Sequence, residues 1–183
     1  MLITATVLPE VLIIEPTVFG DDRGFFMESY NAREFTELTG VADGFVQDNH
    51  SRSAANVLRG IHYQIVHPQG KLVRVTAGAV FDVAVDLRRS SDRFGQWVGV
   101  ELTAENKKQL WVPAGFGHGF LVLSDSADFL YKTTDYYHAD SERCVRWDDP
   151  DIGIDWPLPS GKTPVLSPKD AAAPLLVDAD VYE

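Results

Sequence analysis

Short runs rich in Val, Phe, Leu and Trp recur between about residues 55 and 147, separated by Gly, Pro, Asp and Ser. Apolar runs of this length, bounded by turn-forming residues, are typical of short β-strands. The segments between them are too short to contain crossover helices, so neighbouring strands are expected to run antiparallel. The pattern therefore predicts an all-β fold, an antiparallel jelly-roll sandwich or barrel with a few short helices.

Two of the predicted strands alternate with a period of two residues. From Phe81 to Leu87 every second residue is apolar, whereas Asp82 and Asp86 occupy alternate positions, so one face of this strand is entirely apolar. Val and Leu alternate in the same way over residues 98–102. The other strands are predicted at residues 57–64, 71–76, 110–112, 119–123, 129–133 and 143–147.

Two segments carry helix start and stop signals. In residues 31–40 the initial asparagine can be the N-cap, Glu34 is its capping-box partner, and the final glycine can end the helix. In residues 167–174 a serine can cap, a proline takes the first helical position, and a second proline stops the helix. Two short helices are therefore expected.

The composition narrows the class of protein. A length of 183 residues predicts one domain, spanning residues 1–183. The 16 basic and 27 acidic residues give a formal net charge of −11, which disfavours binding to nucleic acid or to an anionic membrane. Cys144 is the only cysteine, and no apolar stretch approaches the ~18 residues of a membrane span. A cytoplasmic protein is expected.

Two of the five histidines are the better candidates for chemistry, because His62 and His118 lie within or beside predicted strands. The remaining three are expected in loops: His50, His67 and His138. Regular alternation would put Leu58, Gly60 and Gln64 on the same face as His62. A small and a polar neighbour suit the floor of a pocket, although a core histidine with ordinary hydrogen bonds is the alternative.

Tyr131 and Asp170 each have a structural and a functional interpretation. Tyr131 shares a strand face with Phe129 and Thr133, which could direct its phenol into the barrel. Buried tyrosines with hydrogen-bonded hydroxyls are, however, common in sheets. Asp170 lies in the first turn of the second predicted helix, where the helix dipole favours an acidic residue. The pattern alone leaves both alternatives open.

No metal site is predicted. Jelly-roll metalloenzymes typically start their site with two histidines one residue apart, and no His-x-His occurs here. Gln64, the expected same-face neighbour of His62, is a poor ligand for transition metals. A histidine and a tyrosine would then have to act as base and acid themselves. Isolated cations could hold a phosphorylated ligand, or could be ordinary surface charge: Arg23, Arg59, Lys71 and Lys169.

An ordered series of segments carries a resemblance that covers nearly the whole chain. These segments are residues 19–26, 47–51, 58–64, 69–75, 80–88, 94–97, 113–120, 131–134 and 167–172. Together they resemble the dTDP-4-dehydrorhamnose 3,5-epimerase family, which consists of cupin-type jelly-roll enzymes. The loop at residues 65–68 is about one residue shorter than is usual in that family, which could alter how the following Lys71 is presented.

The resemblance implies epimerisation at C3 and C5 of dTDP-4-dehydro-6-deoxy-D-glucose, giving dTDP-4-dehydro-L-rhamnose in dTDP-L-rhamnose biosynthesis, without metal or organic cofactor. By the family pattern, His62 is the general base and Tyr131 the general acid. Asp170 would fix the tautomer of the imidazole. Lys71 would stabilise the negative charge that develops on the 4-oxygen of the enolate.

The resemblance also implies a nucleotide-sugar site and a homodimer. The residues expected around the nucleotide and the sugar are Arg23, Glu28, Gln47, Asn49, Ser51, Arg59, His118, Tyr137, Glu142 and Lys169. The N-terminal segment, about residues 1–50, is expected to complete the partner's site. A regular strand would send Arg59 and His62 to opposite faces, so either Gly60 marks a bulge or Arg59 acts from the rim.

Other functions remain open on the same residues. An enzyme of this scaffold could invert C5 only, or could be a ketoisomerase of a related dTDP-deoxysugar. A non-catalytic cupin-like domain that binds sugars would keep the cations but would not need the histidine and tyrosine pair.

Overall fold

The computed structural model describes residues 1–183 and consists mainly of antiparallel β-strands. The strands are β1 Leu2–Ala5, β2 Leu12–Glu15, β3 Val18–Asp21, β4 Gly24–Met27, β5 Gln47–Ala54, β6 Leu58–Gln64, β7 Lys71–Ala77, β8 Ala79–Asp86, β9 Trp97–Thr103, β10 Gln109–Val112, β11 Phe116–Val122, β12 Ser126–Thr133 and β13 Glu142–Cys144. The helices are α1 Ala32–Thr39 and α2 Pro168–Ala171, with single 3₁₀ turns at Ala139–Ser141 and Leu176–Asp178.

Two sheets form the body of the molecule, and a separate ribbon joins β3 to β4. The larger sheet has the order β1-β2-β10-β7-β12-β5, and the smaller sheet has the order β13-β6-β11-β8-β9. Strands that follow one another in sequence are often in different sheets, and every pairing within the sheets is antiparallel. The predicted all-β jelly-roll class is confirmed.

The two sheets share a core that includes Val73 and Val75 from β7 and Val80 and Ala84 from β8. The entirely apolar face predicted for β8 points the other way. Val83 and its apolar partners pack beneath the C-terminal segment in a second cluster with residues such as Ile152 and Trp156. The mixed face of β8 is therefore the one directed between the sheets, and it carries an aspartate to the interior.

Both predicted helices form at the expected places. Asn31 caps α1 through its Oδ1, which accepts from the Glu34 N–H at 3.3 Å, and Gly40 ends the helix with φ of 73°. Phe35 anchors α1 to the outer face of the larger sheet. Ser167 caps α2 by accepting the Asp170 N–H at 3.1 Å, and this helix ends before the predicted proline.

Five strands that precede residue 55 were not predicted. The strand β5 has the sequence QDNHSRSA, which lacks any large apolar residue, and the ribbon strands β3 and β4 are largely exposed. His50 therefore lies in β5, and its expected loop placement is wrong. The predicted strand at 143–147 is shorter and earlier, at Glu142–Cys144.

A bulge in β6 resolves the placement of Arg59. His62 pairs with His118, but Arg59 pairs with Phe120, so β6 contains one more residue than β11 across this interval. Gly60 has φ of 127°, and a Cβ there would lie 2.5 Å from the Gly119 Cα. Glycine is therefore required at the bulge.

The same bulge overturns the expected face of Leu58. Leu58 packs with Ile61 and Tyr63 in the outer cluster rather than beside His62. Because the extra residue reverses the alternation between them, Arg59 turns to the same side as His62 and donates from Nε to Ser53 Oγ at 3.0 Å, although the residue as a whole stays exposed.

Candidate active site

A histidine and a carboxylate form the centre of the site. His62 Nε2 lies 2.5 Å from Asp170 Oδ1, and the side chains are 28% and 3% exposed, respectively. Because an ionised carboxylate only accepts hydrogen bonds, this contact places the proton on Nε2 and leaves the Nδ1 lone pair available as a base. A cleft of about 300 Å³ opens beside the pair and is also lined by Arg59 and Lys169.

Asp170 is fixed by its own helix. Ser167 Oγ donates to Asp170 Oδ2 at 2.8 Å while it caps α2. Burial raises the pKa of Asp170, but the hydrogen bonds from His62 and Ser167 and the charge of Lys169 outweigh burial and lower this pKa below its ordinary value. The structural and functional interpretations of Asp170 therefore both apply, since its backbone starts the helix and its carboxylate holds the imidazole.

Lys71 reaches the same region from the first position of β7. Its Nζ donates to the His62 carbonyl oxygen at 3.4 Å. The residue as a whole is only partly buried, but its ammonium group is enclosed by protein. Burial lowers the pKa of Lys71 to about 8, opposed by the charges of Asp82 and Glu142. Lys71 is thus mostly charged at neutral pH but loses its proton at a lower pH than an ordinary lysine does.

Tyr131 approaches from the larger sheet, where it lies opposite Asn49 and Val73 and packs against the shared core. Burial raises the pKa of Tyr131, although the charge of Arg59 lowers it in part. The phenol is therefore protonated at neutral pH. Since His62 belongs to the smaller sheet, the base and the potential proton donor come from opposite walls of the sandwich.

A second buried pair consists of His118, which was predicted as a site residue, and Asp82, which was not. His118 Nε2 lies 3.0 Å from both carboxylate oxygens of Asp82, and neither side chain is more than 8% exposed. Burial raises the pKa of Asp82, and the neighbouring His118 and Lys71 oppose that rise. Asp82 was missed as a site residue, although an aspartate that alternates with Val80 and Ala84 on one face of a strand was a visible signal.

A polar chain borders this region at the ends of β5 and β13. Glu142 receives Lys169 Nζ at 2.5 Å on Oε1 and the Tyr137 hydroxyl at 2.9 Å on Oε2. The Tyr137 N–H donates to Gln47 Oε1 at 3.1 Å, and Gln47 Nε2 donates to Asn49 Oδ1 at 2.9 Å. Burial raises the pKa of Glu142, but its bonds from Lys169 and Tyr137 lower it overall.

The remaining predicted residues divide into two groups. Ser51 lies on β5 opposite Phe129, two positions from Asn49 and Ser53, so it shares their strand face. Arg23 and Glu28 are not brought to the site within one chain. The Arg23 side chain is 90% exposed on the ribbon and pairs with Asp21 at 2.5 Å. Glu28 contacts only the start of α1, by accepting from Asn31 at 3.5 Å.

A carboxylate-held histidine, a protonated tyrosine and a buried lysine between two jelly-roll sheets define a class of protein: a cupin-type isomerase whose own side chains can move protons. The family model for dTDP-4-dehydrorhamnose 3,5-epimerase matches residues 5–178, and the chain belongs to that family. The match leaves out most of β1 but covers all the other strands and both helices, so it includes every element that carries a site residue.

Individual relatives agree with this family. The chain is 61% identical to a dTDP-4-dehydrorhamnose 3,5-epimerase of Pseudomonas aeruginosa, over 98% of each chain. It is 59% identical to one from Salmonella typhimurium over the full length of both. A crystal structure of dTDP-6-deoxy-D-glucose-3,5-epimerase from Legionella pneumophila, in complex with dTDP-4-keto-L-rhamnose, superposes with a TM-score of 0.94 at 59% identity, covering 97% of this chain and 94% of that one.

A more distant neighbour has a narrower activity. A 3′-monoepimerase from Streptomyces bikiniensis, in complex with dTDP-quinovose, has a TM-score of 0.88 and 34% identity, covering 94% of this chain and 87% of that one. The same architecture therefore serves enzymes that differ in the number of carbons they invert.

Proposed function

We propose that this chain epimerises C3 and C5 of dTDP-4-dehydro-6-deoxy-D-glucose and forms dTDP-4-dehydro-L-rhamnose for dTDP-L-rhamnose biosynthesis. The observation that carries the proposal is that His62, on the smaller sheet, pairs with Asp170 of α2, while Tyr131 projects from the larger sheet. The identity of the substrate is inferred from family membership and from the two bacterial relatives that match over almost their full length.

Proton removal is assigned to His62. A hydrogen on a carbon next to the 4-keto group is acidic because its removal gives an enolate. Asp170 holds Nε2–H, so Nδ1 accepts this proton, and the anionic carboxylate then stabilises the imidazolium. The ammonium of Lys71 stabilises the charge on the 4-oxygen, in a cavity where low polarity strengthens that attraction.

Proton return is assigned to Tyr131. Its raised pKa keeps the hydroxyl protonated until the enolate forms. Since the tyrosine and the histidine come from opposite sheets, a sugar held between them loses a proton from one face and gains one on the other. That sequence inverts the carbon. After His62 has released its proton to solvent and Tyr131 has regained one, repeating the sequence on the other side of the keto group inverts the second carbon.

The nucleotide and the rest of the sugar are assigned to the surrounding polar groups. Arg59 and Lys169 supply positive charge next to the cleft, which suits a diphosphate. The other proposed contacts within the same chain are Gln47, Asn49, Ser51, His118, Tyr137 and Glu142. The proposal requires no metal ion or organic cofactor, because each step uses groups of the chain itself.

We also propose a homodimer in which the ribbon of one chain completes the site of the other. The ribbon exposes Phe19, Phe25 and Phe26 by more than 60% each. Apolar rings on a projecting ribbon are typical of a surface that another chain covers. The same ribbon carries Arg23, which with Glu28 would reach the thymine of the partner's substrate.

The proposed domain covers residues 1–183, of which the family model spans 5–178. No helix in the structure has the length and apolar character needed to cross a membrane. Cytoplasmic localisation and the lack of a nucleic-acid partner stay predictions.

Proton NMR of the product formed in D2O tests the reaction. Deuterium at both C3 and C5 of an L-configured sugar is the expected result, since each inversion replaces a hydrogen by one from solvent. Deuterium and inversion at a single carbon would instead favour the monoepimerase alternative, which the Streptomyces neighbour makes specific.

A further inference from the structure

A cluster of metal-ligating side chains lies outside the proposed acid–base groups. His67 belongs to the loop between β6 and β7, whereas Asp135 and His138 follow β12. One ligand atom from each of the three lies within 4.8 Å of the others. We propose that His67, Asp135 and His138 form a binding site for a divalent transition-metal ion such as Zn²⁺.

Two glutamine side chains fix the backbone of this cluster. Gln64 Nε2 donates to the His67 carbonyl oxygen at 2.7 Å, and Gln64 Oε1 accepts from the His138 N–H at 2.7 Å. Gln69 Nε2 donates to the Asp135 carbonyl oxygen at 2.8 Å. The backbone of all three ligand residues is therefore fixed before an ion arrives, so binding has to order only their side chains.

The side chains already approach one another. His67 Nδ1 lies 3.5 Å from Asp135 Oδ2, and the His67 and His138 rings are stacked with centroids 4.1 Å apart. The backbone occupies only Asp135 Oδ1, through the following N–H. The half-exposed imidazoles must turn from the stack so that their in-plane lone pairs converge on the ion.

The donor set selects the class of ion. Two imidazole nitrogens and one carboxylate oxygen, with water in the fourth position, match tetrahedral Zn²⁺. Mg²⁺ prefers oxygen ligands and retains its waters, so this set should discriminate against it.

The bound ion would join the loop before Lys71 to the segment that contains Tyr137. Its effect is therefore to stabilise the two loops against each other, while proton transfer stays with other groups.

A second cluster, His62, Cys144 and Asp170, also has ligand atoms within 4.8 Å. In that cluster Asp170 is already bound to His62 at 2.5 Å, and burial raises the pKa of the Cys144 thiol to about 12. Because its cysteine stays a thiol, this second cluster is the poorer metal site. The test below distinguishes binding at this cluster from binding at His67, Asp135 and His138.

The test uses the protein without a polyhistidine tag. Bound metal is first removed with a chelator, and the protein is then titrated with ZnCl2 in a calorimeter at neutral pH. One ion per chain is expected, with affinity at least tenfold weaker in His67→Asn and in His138→Asn. Asparagine suits position 67 because it tolerates the φ of 60° found there. His50→Asn removes an exposed histidine elsewhere and should bind as the wild type does. MgCl2 should give no binding heat.

Two further measurements keep the proposal falsifiable. Zn²⁺ should raise the Tm of the wild type but not that of the His67→Asn/His138→Asn variant, whose circular dichroism must match the wild type. Equal Zn²⁺ affinity in the wild type and this variant would overturn the proposal. A thiolate charge-transfer band on substitution with Co²⁺ would also overturn it, by locating the ion at Cys144.

Discussion

The buried cation of Lys71 makes the pH dependence of the reaction a direct test of its proposed role. Only the protonated amine can stabilise the charge on the 4-oxygen, and burial lowers its pKa from 10.5 to about 8. The activity should therefore be lost on the alkaline side of neutrality, well before an ordinary lysine or the raised pKa of Tyr131 would cause a loss.

The size of the effect follows from the titration. With a pKa of about 8, about nine tenths of the Lys71 side chain is charged at pH 7 and about one tenth at pH 9. We expect kcat/KM to fall about tenfold between these two values. The profile of kcat/KM is the correct readout because it reports the pKa of the free enzyme, whereas kcat reports a complex in which the diphosphate adds negative charge.

The perturbation is Lys71→Met, which keeps the length of the side chain and removes the charge. Loss of one group that stabilises an oxyanion typically lowers kcat by about 10²–10³, and we expect the same here. The remaining activity should no longer fall between pH 7 and 9. Lys162→Met changes an exposed lysine and serves as the matched control, with an unchanged profile.

The same titration should make the protein more stable as the pH rises, whereas the activity falls. Because the folded pKa lies below the unfolded value, the unfolded chain binds more protons between about pH 8 and 10.5, and this group makes stability rise with pH across that window. Below it, the buried charge costs at most about 3 kcal/mol, reduced by screening at the open side of the residue. Lys71→Met should therefore raise the Tm at pH 7. If kcat/KM of Lys71→Met still fell between pH 7 and 9 as in the wild type, the assignment of this pH dependence to Lys71 would be refuted.

Four further outcomes are expected. His62→Ala should lower kcat by about 10²–10⁴, and Asp170→Asn by less, with both folded by circular dichroism; near-normal turnover of His62→Ala would mean another base. Tyr131→Phe should incorporate deuterium into recovered substrate in D2O faster than it forms L-configured product, and inversion at the normal rate would return this tyrosine to a packing role. Co-expressed Arg23→Ala and His62→Ala chains should regain activity that neither has alone if the ribbon crosses between subunits; no recovery would place it in its own chain's site. Turnover should survive exhaustive chelation, and a loss restored by a transition metal would contradict the acid–base mechanism.

Sequence patterns predicted strands that contain several large apolar residues, whether one face or both faces are buried, and missed β5, which contains none. The run from Phe81 to Leu87 was recognised because burial beneath the C-terminal segment requires an apolar face. The strand β5 was missed because one face lines a polar cavity and the other faces outward, so neither requires apolar residues. A strand that builds a binding site can thus lack the pattern by which strands are recognised.

Local patterns predicted the candidate site as a set of residue types, and only the family resemblance predicted a contact, that of Asp170 with the imidazole of His62. Asp170 could be placed at a helix start from Ser167 and Pro168, yet its contact with His62 joins positions 108 residues apart. That contact depends on how the C-terminal segment crosses the smaller sheet, which no local pattern encodes. Asp82 was missed for the related reason that its partners, Lys71 and His118, lie on other strands.

The charge distribution links the fold to the proposed substrate. A net charge of −11 should repel a nucleotide diphosphate, but charges on the far surface are screened beyond about 8 Å at physiological ionic strength. Arg59 and Lys169 line the cleft beside His62, and Lys71 lies close to it. The carboxylate of Glu142 attracts both lysines. Within the range that screening leaves, the ligand meets the guanidinium of Arg59, which bonds to Ser53 rather than to a carboxylate and can therefore pair with a phosphate. The acidic surface then opposes nonspecific binding of polyanions while the cavity still accepts one diphosphate.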